Sequence, residues 1–405
     1  MKILSNSFAN GVKGFKTAGI AAGLKKSCKK DLAIIYSEKN AVSAGTFTTN
    51  KVKAACVVLN MENIKHHNTQ AIIINSGHAN ACTGDNGFKD AKTINEITSK
   101  ELGLKSEEVL QASTGVIGLP IPMDIMKDGI KKVCSKISND GGDDTAKAIL
   151  TTDTKTKYIT IEIEIDSKKV LLSGVAKGSG MIKPNMATML SFVVTDANIS
   201  KEMLNKAVKN SVKDSYNMIS VDGDISTNDM FLVMANGAAE NKIIDCENDN
   251  YKIFKEALDF INIELAKKIA RDGEGATKLI ESHVVNSCSV DSAKKCAMSI
   301  VSSNLVKAAL FGSDPNWGRV ICALGYSGGE FSIDKVNLTF KSSIGEIEVF
   351  KNGMNLNFDE NKARNILQAD NIILYVDLND GKYSAKAWGC DLTYKYVEIN
   401  GQYRT

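Results

Sequence analysis

The stretch Lys177-Gly-Ser-Gly-Met-Ile-Lys-Pro-Asn-Met-Ala-Thr-Met-Leu-Ser-Phe-Val-Val-Thr-Asp196 runs from a Gly-rich, Lys-bearing loop into an apolar strand expected to begin at Thr188. Pro184 makes the loop a turn, and a hydroxyl then stands where loop becomes strand. A nucleophile needs a rigid support and an open reactive end, and such a junction offers both. The plain alternative is a β-favoured Thr entering a buried strand. Ala187-Thr188 is, however, a small-Thr bond with Lys177, Ser179 and Lys183 close by in sequence, the groups that would assist an acyl shift.

At 405 residues the chain exceeds what one core usually serves, and 43% apolar with 24% charged residues marks an ordinary soluble protein, so two domains are expected. Lys and Arg total 50 against 47 Asp and Glu; the formal charge of +3 gives no electrostatic footprint for nucleic acid or an anionic membrane. A small-molecule substrate is the expected partner. No apolar run reaches the roughly 18 residues of a membrane span, and Met1-Lys-Ile-Leu-Ser5 opens no continuous apolar secretion signal. The nine Cys are odd in number, scattered and never spaced Cys-x-x-Cys. They read as reduced thiols in the cytoplasm, not a disulfide framework or a zinc site.

Along the chain, residues 11–60 read as Gly and Ala turns between short apolar runs, with 32–36 and 54–59 each of strand length. Residues 71–75 form a buried-type strand that feeds a loop of small polar residues over 76–87, in which His78 reads as hydrogen-bonded scaffolding. The four His are never at metal spacing with a carboxylate, so no metal site is expected. After an amphipathic helix over 88–102 comes Gln111-Ala-Ser-Thr-Gly-Val116, a Thr-Gly pair at a strand exit. Gly lets a backbone N–H approach closely and the Thr hydroxyl adds a second donor, the two things a tetrahedral oxyanion requires. Standing alone, Ser-Thr-Gly is also a commonplace turn.

A helix ending near residue 150 leads to Tyr158-Ile-Thr-Ile-Glu-Ile-Glu-Ile165, where Ile at every second position predicts a half-buried strand paired with 170–175. Ser200 is placed to cap a helix reaching about residue 216. The acidic loop 220–229 departs from a calcium loop, because Gly223 directly follows Asp222 and the twelfth position is Val233. Apolar residues at helical spacing over 253–269 predict a long helix that stops at Arg271-Asp-Gly-Glu-Gly275, leaving Glu274 between two Gly. Gly178 and Gly180 lack the third Gly of the dinucleotide fingerprint. The last part reads as a smaller α+β domain with strands near 282–288, 336–340 and 372–377 and a hairpin turn at Asn379-Asp-Gly381.

Separated motifs together resemble the ornithine acetyltransferase / glutamate N-acetyltransferase family of the cyclic arginine pathway. They are Gly45-Thr-Phe-Thr-Thr-Asn-Lys-Val-Lys-Ala-Ala55, Ser113-Thr-Gly115, Thr151-Thr-Asp153, Met186-Ala-Thr-Met-Leu190, Asp314-Pro-Asn-Trp-Gly-Arg319 and Val397-Glu-Ile-Asn-Gly-Gln-Tyr-Arg-Thr405. The chain departs from the family with Cys56 in place of a Pro and His78 in place of an Asn. The resemblance implies an α/β architecture of layered sheets and helices, of the type shared with N-terminal-nucleophile aminopeptidases. It would comprise a catalytic domain over 1–280 and a smaller domain over 281–405.

It also implies self-cleavage between Ala187 and Thr188 into chains 1–187 and 188–405, which stay together as a tetramer of two α and two β chains. Thr188 would be the nucleophile, and Thr114 and Gly115 the oxyanion hole. Thr151, Lys177, Glu274, Asn400 and Thr405 would join Thr188 in binding substrate. Acetyl would pass from N-acetylornithine to Thr188 and then to glutamate, with no cofactor. The freed α-amine of Thr188, with an ordinary pKa of about 7.7–8.0, would serve as base to its own hydroxyl, and Lys177 would lower that pKa further. Members that also use acetyl-CoA share these motifs, so that donor stays open. An N-terminal-nucleophile aminopeptidase or a non-catalytic amino-acid-binding protein are the alternatives.

Overall fold

The computed structural model describes residues 1–66, 68–183 and 189–401, apart from the side chain of His66. The described residues form two compact units: unit 1 within 1–178, 184–217 and 224–265, and unit 2 within 179–183, 218–223 and 266–405. Both mix strands and helices in layers, the α/β class that the sequence predicts. Among the described residues no helix is long and apolar enough to cross a membrane.

Strands and helices are numbered along the chain. Unit 1 carries β1 Lys2–Leu4, β2 Phe15–Ile20, β3 Leu32–Phe47, β4 Thr69–His78, β5 Val109–Val116, β6 Lys157–Ile165, β7 Lys168–Lys177, β8 Leu190–Thr195 and β10 Met230–Ala235, while β9, Ile219–Ser220, belongs to unit 2. These nine strands form one sheet in the order β1-β6-β7-β8-β10-β3-β4-β5, with β2 beside β3. The β4–β5 and β8–β10 pairs are parallel and the others antiparallel. Its helices are α1 Ala55–His66, α2 Gly84–Leu102, α3 Met123–Cys134, α4 Gly142–Ala148 and α5 Lys201–Lys213. The long helix α6, Asp249–Arg271, belongs to unit 1 up to Leu265 and to unit 2 from Ala266.

The runs at 32–36 and 71–75 are apolar without alternation because both faces of the sheet are covered there. Ala33, Ile35, Ile72 and Ile74 enter one core with Phe8, Leu110, Phe192 and Leu232. Leu32, Ile34, Ala71 and Ile73 enter a second core with Ile94 of α2 and Met126, Ile130 and Val133 of α3. Each fully buried Leu, Ile, Val, Phe or Met among them contributes about 1.5–3 kcal/mol, the alanines less. Ser200 caps α5 by accepting from the Met203 N–H.

Two local expectations fail. Residues 54–59, read as a strand, open helix α1. The run is too short to reveal its period, but Cys56, Val57 and Asn60 are fully buried and Met61 and Ile64 pack behind them, which is helical spacing. Turns do lie on either side of β2, but the runs expected to stay short from residue 32 onward merge into β3, unbroken for 16 residues.

Unit 2 holds a seven-stranded sheet in the order β14-β13-β12-β15-β11-β16-β9. Its strands are β11 Leu279–Ser287, β12 Asn337–Ser342, β13 Gly345–Lys351, β14 Met354–Asn355, β15 Asn371–Asp377 and β16 Tyr383–Cys390. Helices α7 Val290–Ser302, α8 Asn304–Phe311, α9 Trp317–Gly325, α10 Glu360–Ile366 and α11 Tyr394–Gly401 complete it. Burial alternates here: Ile280 and Val284, Leu338 and Phe340, and Ile372, Leu374 and Val376 face one core while their neighbours stay half-exposed.

The hairpin expected at Asn379-Asp-Gly381 does not form. Both edges of β15 are already taken, by β12 and by parallel β11, so the chain crosses over and β16 pairs on the far side of β11.

Candidate active site

Thr114 and Gly115 close β5, at the carboxyl end of a parallel strand, where α/β sheets commonly place ligands. Amide side chains from neighbouring elements fix that strand. Asn60 of α1 donates to the Gln111 carbonyl and accepts the Gln111 N–H. Asn228 donates to the carbonyls of Ser113 and Ala79, and Ser113 Oγ donates to Asn75 Oδ1. Gly115 sits at φ 131°, facing Gly77 across the β4–β5 ladder. A Cβ there would stand 2.2 Å from the Gly77 carbonyl carbon, so only glycine fits and the Thr114-Gly115 backbone has one arrangement.

The end of β7 reaches the same place. Lys177 Nζ donates to Thr114 Oγ1 at 3.1 Å and to Thr151 Oγ1 at 3.2 Å. An ammonium only donates, so Thr114 Oγ1 accepts here and its own proton points elsewhere. Thr114 is 9% exposed, which keeps this donor in partly dry surroundings where it acts strongly.

Asp153, in the turn after α4, underpins the group. Its carboxylate accepts from Thr151 N at 3.1 Å, Gly178 N at 2.7 Å and Lys157 Nζ at 2.6 Å. The Asp153 and Lys157 side chains are 0% and 2% exposed. Burial alone would raise the Asp153 carboxyl, but the Lys157 and Lys177 charges and the hydrogen bonds outweigh it and hold it at about 2. Lys25, from the loop between β2 and β3, donates to the Leu150 carbonyl at 2.6 Å. Burial, aided by the Lys177 charge, brings it down to about 8 against the opposing pull of Asp31 and Asp153.

Within unit 2, Glu274 follows the end of α6 and is 6% exposed. Its carboxylate accepts from Asn400 Nδ2 at 2.7 Å, and its N–H donates to the Ser179 carbonyl. A Cβ on Gly180 would lie 2.4 Å from the Glu274 carboxylate, so the second Gly of Lys-Gly-Ser-Gly clears room for that group. Helix α11, which carries Asn400, is docked by Thr393 Oγ1 donating to the Gly275 carbonyl and by Asp391 accepting from the N–H groups of Thr277 and Lys278. Ser179 Oγ donates to the Asp272 carbonyl, and Asp222 of the acidic loop accepts from the N–H groups of Met181 and Ile182.

Unit 1 thus gathers Thr114, Gly115, Thr151 and Lys177, and unit 2 joins Glu274 to Asn400. Ala187, Thr188 and Thr405 lie outside the described residues. The backbone carbonyl of His78 accepts from Asn75 Nδ2, and burial lowers its imidazole pKa, which favours the neutral ring. Sequence reading missed what Asp153, Lys157, Lys25, Asn60 and Asn228 do. Asp153 stood inside the quoted Thr-Thr-Asp motif with Lys157 four residues on, whereas nothing singles out Lys25 among Lys25, Lys26, Lys29 and Lys30.

Residues 16–405 match the ArgJ family. The arginine biosynthesis bifunctional protein ArgJ 1 of Clostridium acetobutylicum is 55% identical over 405 residues, covering 100% of this chain and 99% of its own length. Its counterpart in Caldanaerobacter subterraneus is 52% identical over 97% of both. An ornithine acetyltransferase of Mycobacterium tuberculosis, solved in complex with ornithine, is 34% identical over 46% of this chain and 98% of its own, with a TM-score of 0.42. With full-length identity at this level, the chain belongs to the ArgJ family of arginine-biosynthesis acetyltransferases.

Proposed function

We propose that the enzyme moves acetyl from N2-acetylornithine to glutamate through an acetyl ester on Thr188. Self-cleavage between Ala187 and Thr188 first frees the Thr188 amine, which then acts as base to the neighbouring hydroxyl. Thr188 attacks the acetyl carbonyl, the C–N bond to ornithine breaks, and ornithine leaves as the amine. Glutamate's amine then attacks the ester, giving N-acetylglutamate and returning Thr188. One observation carries this reading. Lys177 is hydrogen-bonded to both Thr114 and Thr151 beside a Gly115 that admits no side chain, which leaves a hydroxyl and a backbone N–H as paired donors for an oxyanion.

The remaining roles follow the family resemblance. Thr151, Lys177, Glu274, Asn400 and Thr405 bind substrate with Thr188, the Asn400 amide and the Thr405 hydroxyl being groups that can donate to an α-carboxylate. The chemistry needs no cofactor, and acetyl-CoA is a second donor to be assayed. The two fragments stay together as two α and two β chains in the cytoplasm.

Denaturing mass spectrometry tests the first step. The parent runs as two fragments split at Ala187, and Thr188→Ala stays whole; a Thr188→Ala chain cut as well as the parent removes Thr188 from the reaction. For the second step, N-acetylornithine turnover requires glutamate and initial rates give parallel double-reciprocal lines. Turnover without glutamate would mark a hydrolase instead.

A further inference from the structure

Asp153 ties its own turn, at Thr151 and Lys157, to Gly178, 25 residues on. Its Oδ2 accepts from the Thr151 N–H, and its Oδ1 accepts from Gly178 N, the residue after Lys177, and from Lys157 Nζ at the start of β6. Thr151 and Lys177 are the two residues whose side chains meet at 3.2 Å. One carboxylate therefore fixes the backbone on both sides of that contact.

The charges point the same way. Lys177, Lys157 and Lys25 are three cations that act on one another or on this carboxylate, Asp153 is the buried anion among them, and the Asp31 charge also favours the protonated Lys25. Without Asp153, the part-buried Lys177 ammonium would keep the repulsion of Lys25 without the opposing charge of this carboxylate. A neutral amine at Lys177 would lose its hold on Thr114, whose hydroxyl proton would then be free to turn toward that amine.

We propose that Asp153 is a positioning residue for acyl transfer: it keeps Lys177 protonated and aimed at Thr114, so that the Thr114 hydroxyl donates to the reacting carbonyl. This rests on the reading of Thr114, Gly115 and Lys177 as the acyl site.

The test uses the full chain carrying Asp153→Asn, which keeps size and removes the charge. Two readouts are taken. Trace acylation of lysines across pH, resolved by peptide mass mapping, gives the titration midpoint of Lys177; steady-state assay of N-acetylornithine with glutamate gives kcat and KM. The midpoint moves down by about one unit or more, the effect of losing a nearby opposite charge. The kcat falls roughly 10²-fold while KM changes little, as when a group is held slightly out of place. The Asp153→Asn/Lys157→Met double variant, which removes one cation with the anion, recovers part of both.

An Asp153→Asn protein that melts near the parent temperature with the Lys177 midpoint and kcat unchanged overturns the proposal. If Asp153→Asn does not fold, Lys157→Met replaces it: Asp153 then acts on Lys177 with less competition and the midpoint rises, and an unmoved midpoint overturns the proposal equally. A parent that transfers no acetyl refutes the acyl-site reading itself, and the Lys177 midpoint still decides whether Asp153 sets its charge.

Discussion

Two glycines adjoin the two clusters, and each excludes a side chain for a different reason. A Cβ on Gly115 would meet backbone, the Gly77 carbonyl carbon at 2.2 Å and its oxygen at 2.5 Å. A Cβ on Gly180 would meet the Glu274 carboxylate at 2.4 Å, the far end of a flexible side chain. Backbone in a sheet ladder cannot yield, whereas a carboxylate can swing away. The unit 1 cluster is therefore rigid to its main chain, with its polar side chains fixed by the fully buried Asp153–Lys157 pair. The unit 2 cluster holds one carboxylate by an amide on the exposed residue Asn400. Rigidity suits donors that must meet charge as it develops, and compliance suits recognition of substrates whose side chains differ.

The largest effects are expected at the rigid end. Thr114→Val removes one donor without adding bulk, and kcat should fall by roughly 10²–10³ with KM little changed. Gly115→Ala should lose at least as much activity and also lower the melting temperature, because a φ of 131° and the Gly77 contact are both incompatible with a side chain. Equal losses in KM with unchanged kcat for Thr114→Val would make this segment a binding element.

Much of this arrangement is legible in the sequence, to a depth set by how local each cause is. The alternating Ile of 158–165 gives β6 because period two needs only its own residues, and Ser200 gives the start of α5 because capping is a contact three residues long. The stretch 54–59 fails because six residues fit either period; the marker is Asn60, whose buried amide serves Gln111, 51 residues away. Asn379-Asp-Gly381 carries turn chemistry, but which strand the chain then joins depends on β11 and β12 having filled both edges of β15. The site behaves alike. Thr114, Gly115 and Lys177 are marked by motif, whereas the role of Asp153 depends on Gly178, 25 residues on, and Lys25 reaches Leu150 across 125 residues.

At the compliant end, Gly180→Ala should leave the fold intact, since Glu274 can rotate away from the new methyl group. On the proposed role of Glu274 in binding substrate, the displaced carboxylate loses that contact, so KM for N-acetylornithine and glutamate should rise about 10-fold, the worth of one charge-assisted hydrogen bond. Circular dichroism melting run beside the kinetics separates the two regions. A Gly180→Ala protein that loses several degrees of stability would place the second cluster among the rigid ones, and the contrast would vanish.

The smallest expected effect concerns Lys25, the cation that the rigid cluster holds at a disadvantage. Burial lowers its folded-state pKa to about 8 from an ordinary value of 10.5. Below pH 8 both folded and unfolded chains keep the proton, and the folded state bears the full cost of a half-buried charge. Between pH 8 and 10.5 the folded chain releases the proton while the unfolded chain retains it. The unfolded state then binds more protons, so the contribution of this residue to stability rises with pH across that window. Lys278 in unit 2 is also lowered by burial, but it is common to parent and variant and cancels in their difference. Denaturant unfolding of the parent and of Lys25→Met at pH 7.5 and pH 10 measures that difference. The parent should gain on the variant as pH rises; a gap that stays constant would mean that Lys25 sits in water-like surroundings and that the charge crowding of unit 1 stops at Lys157 and Lys177.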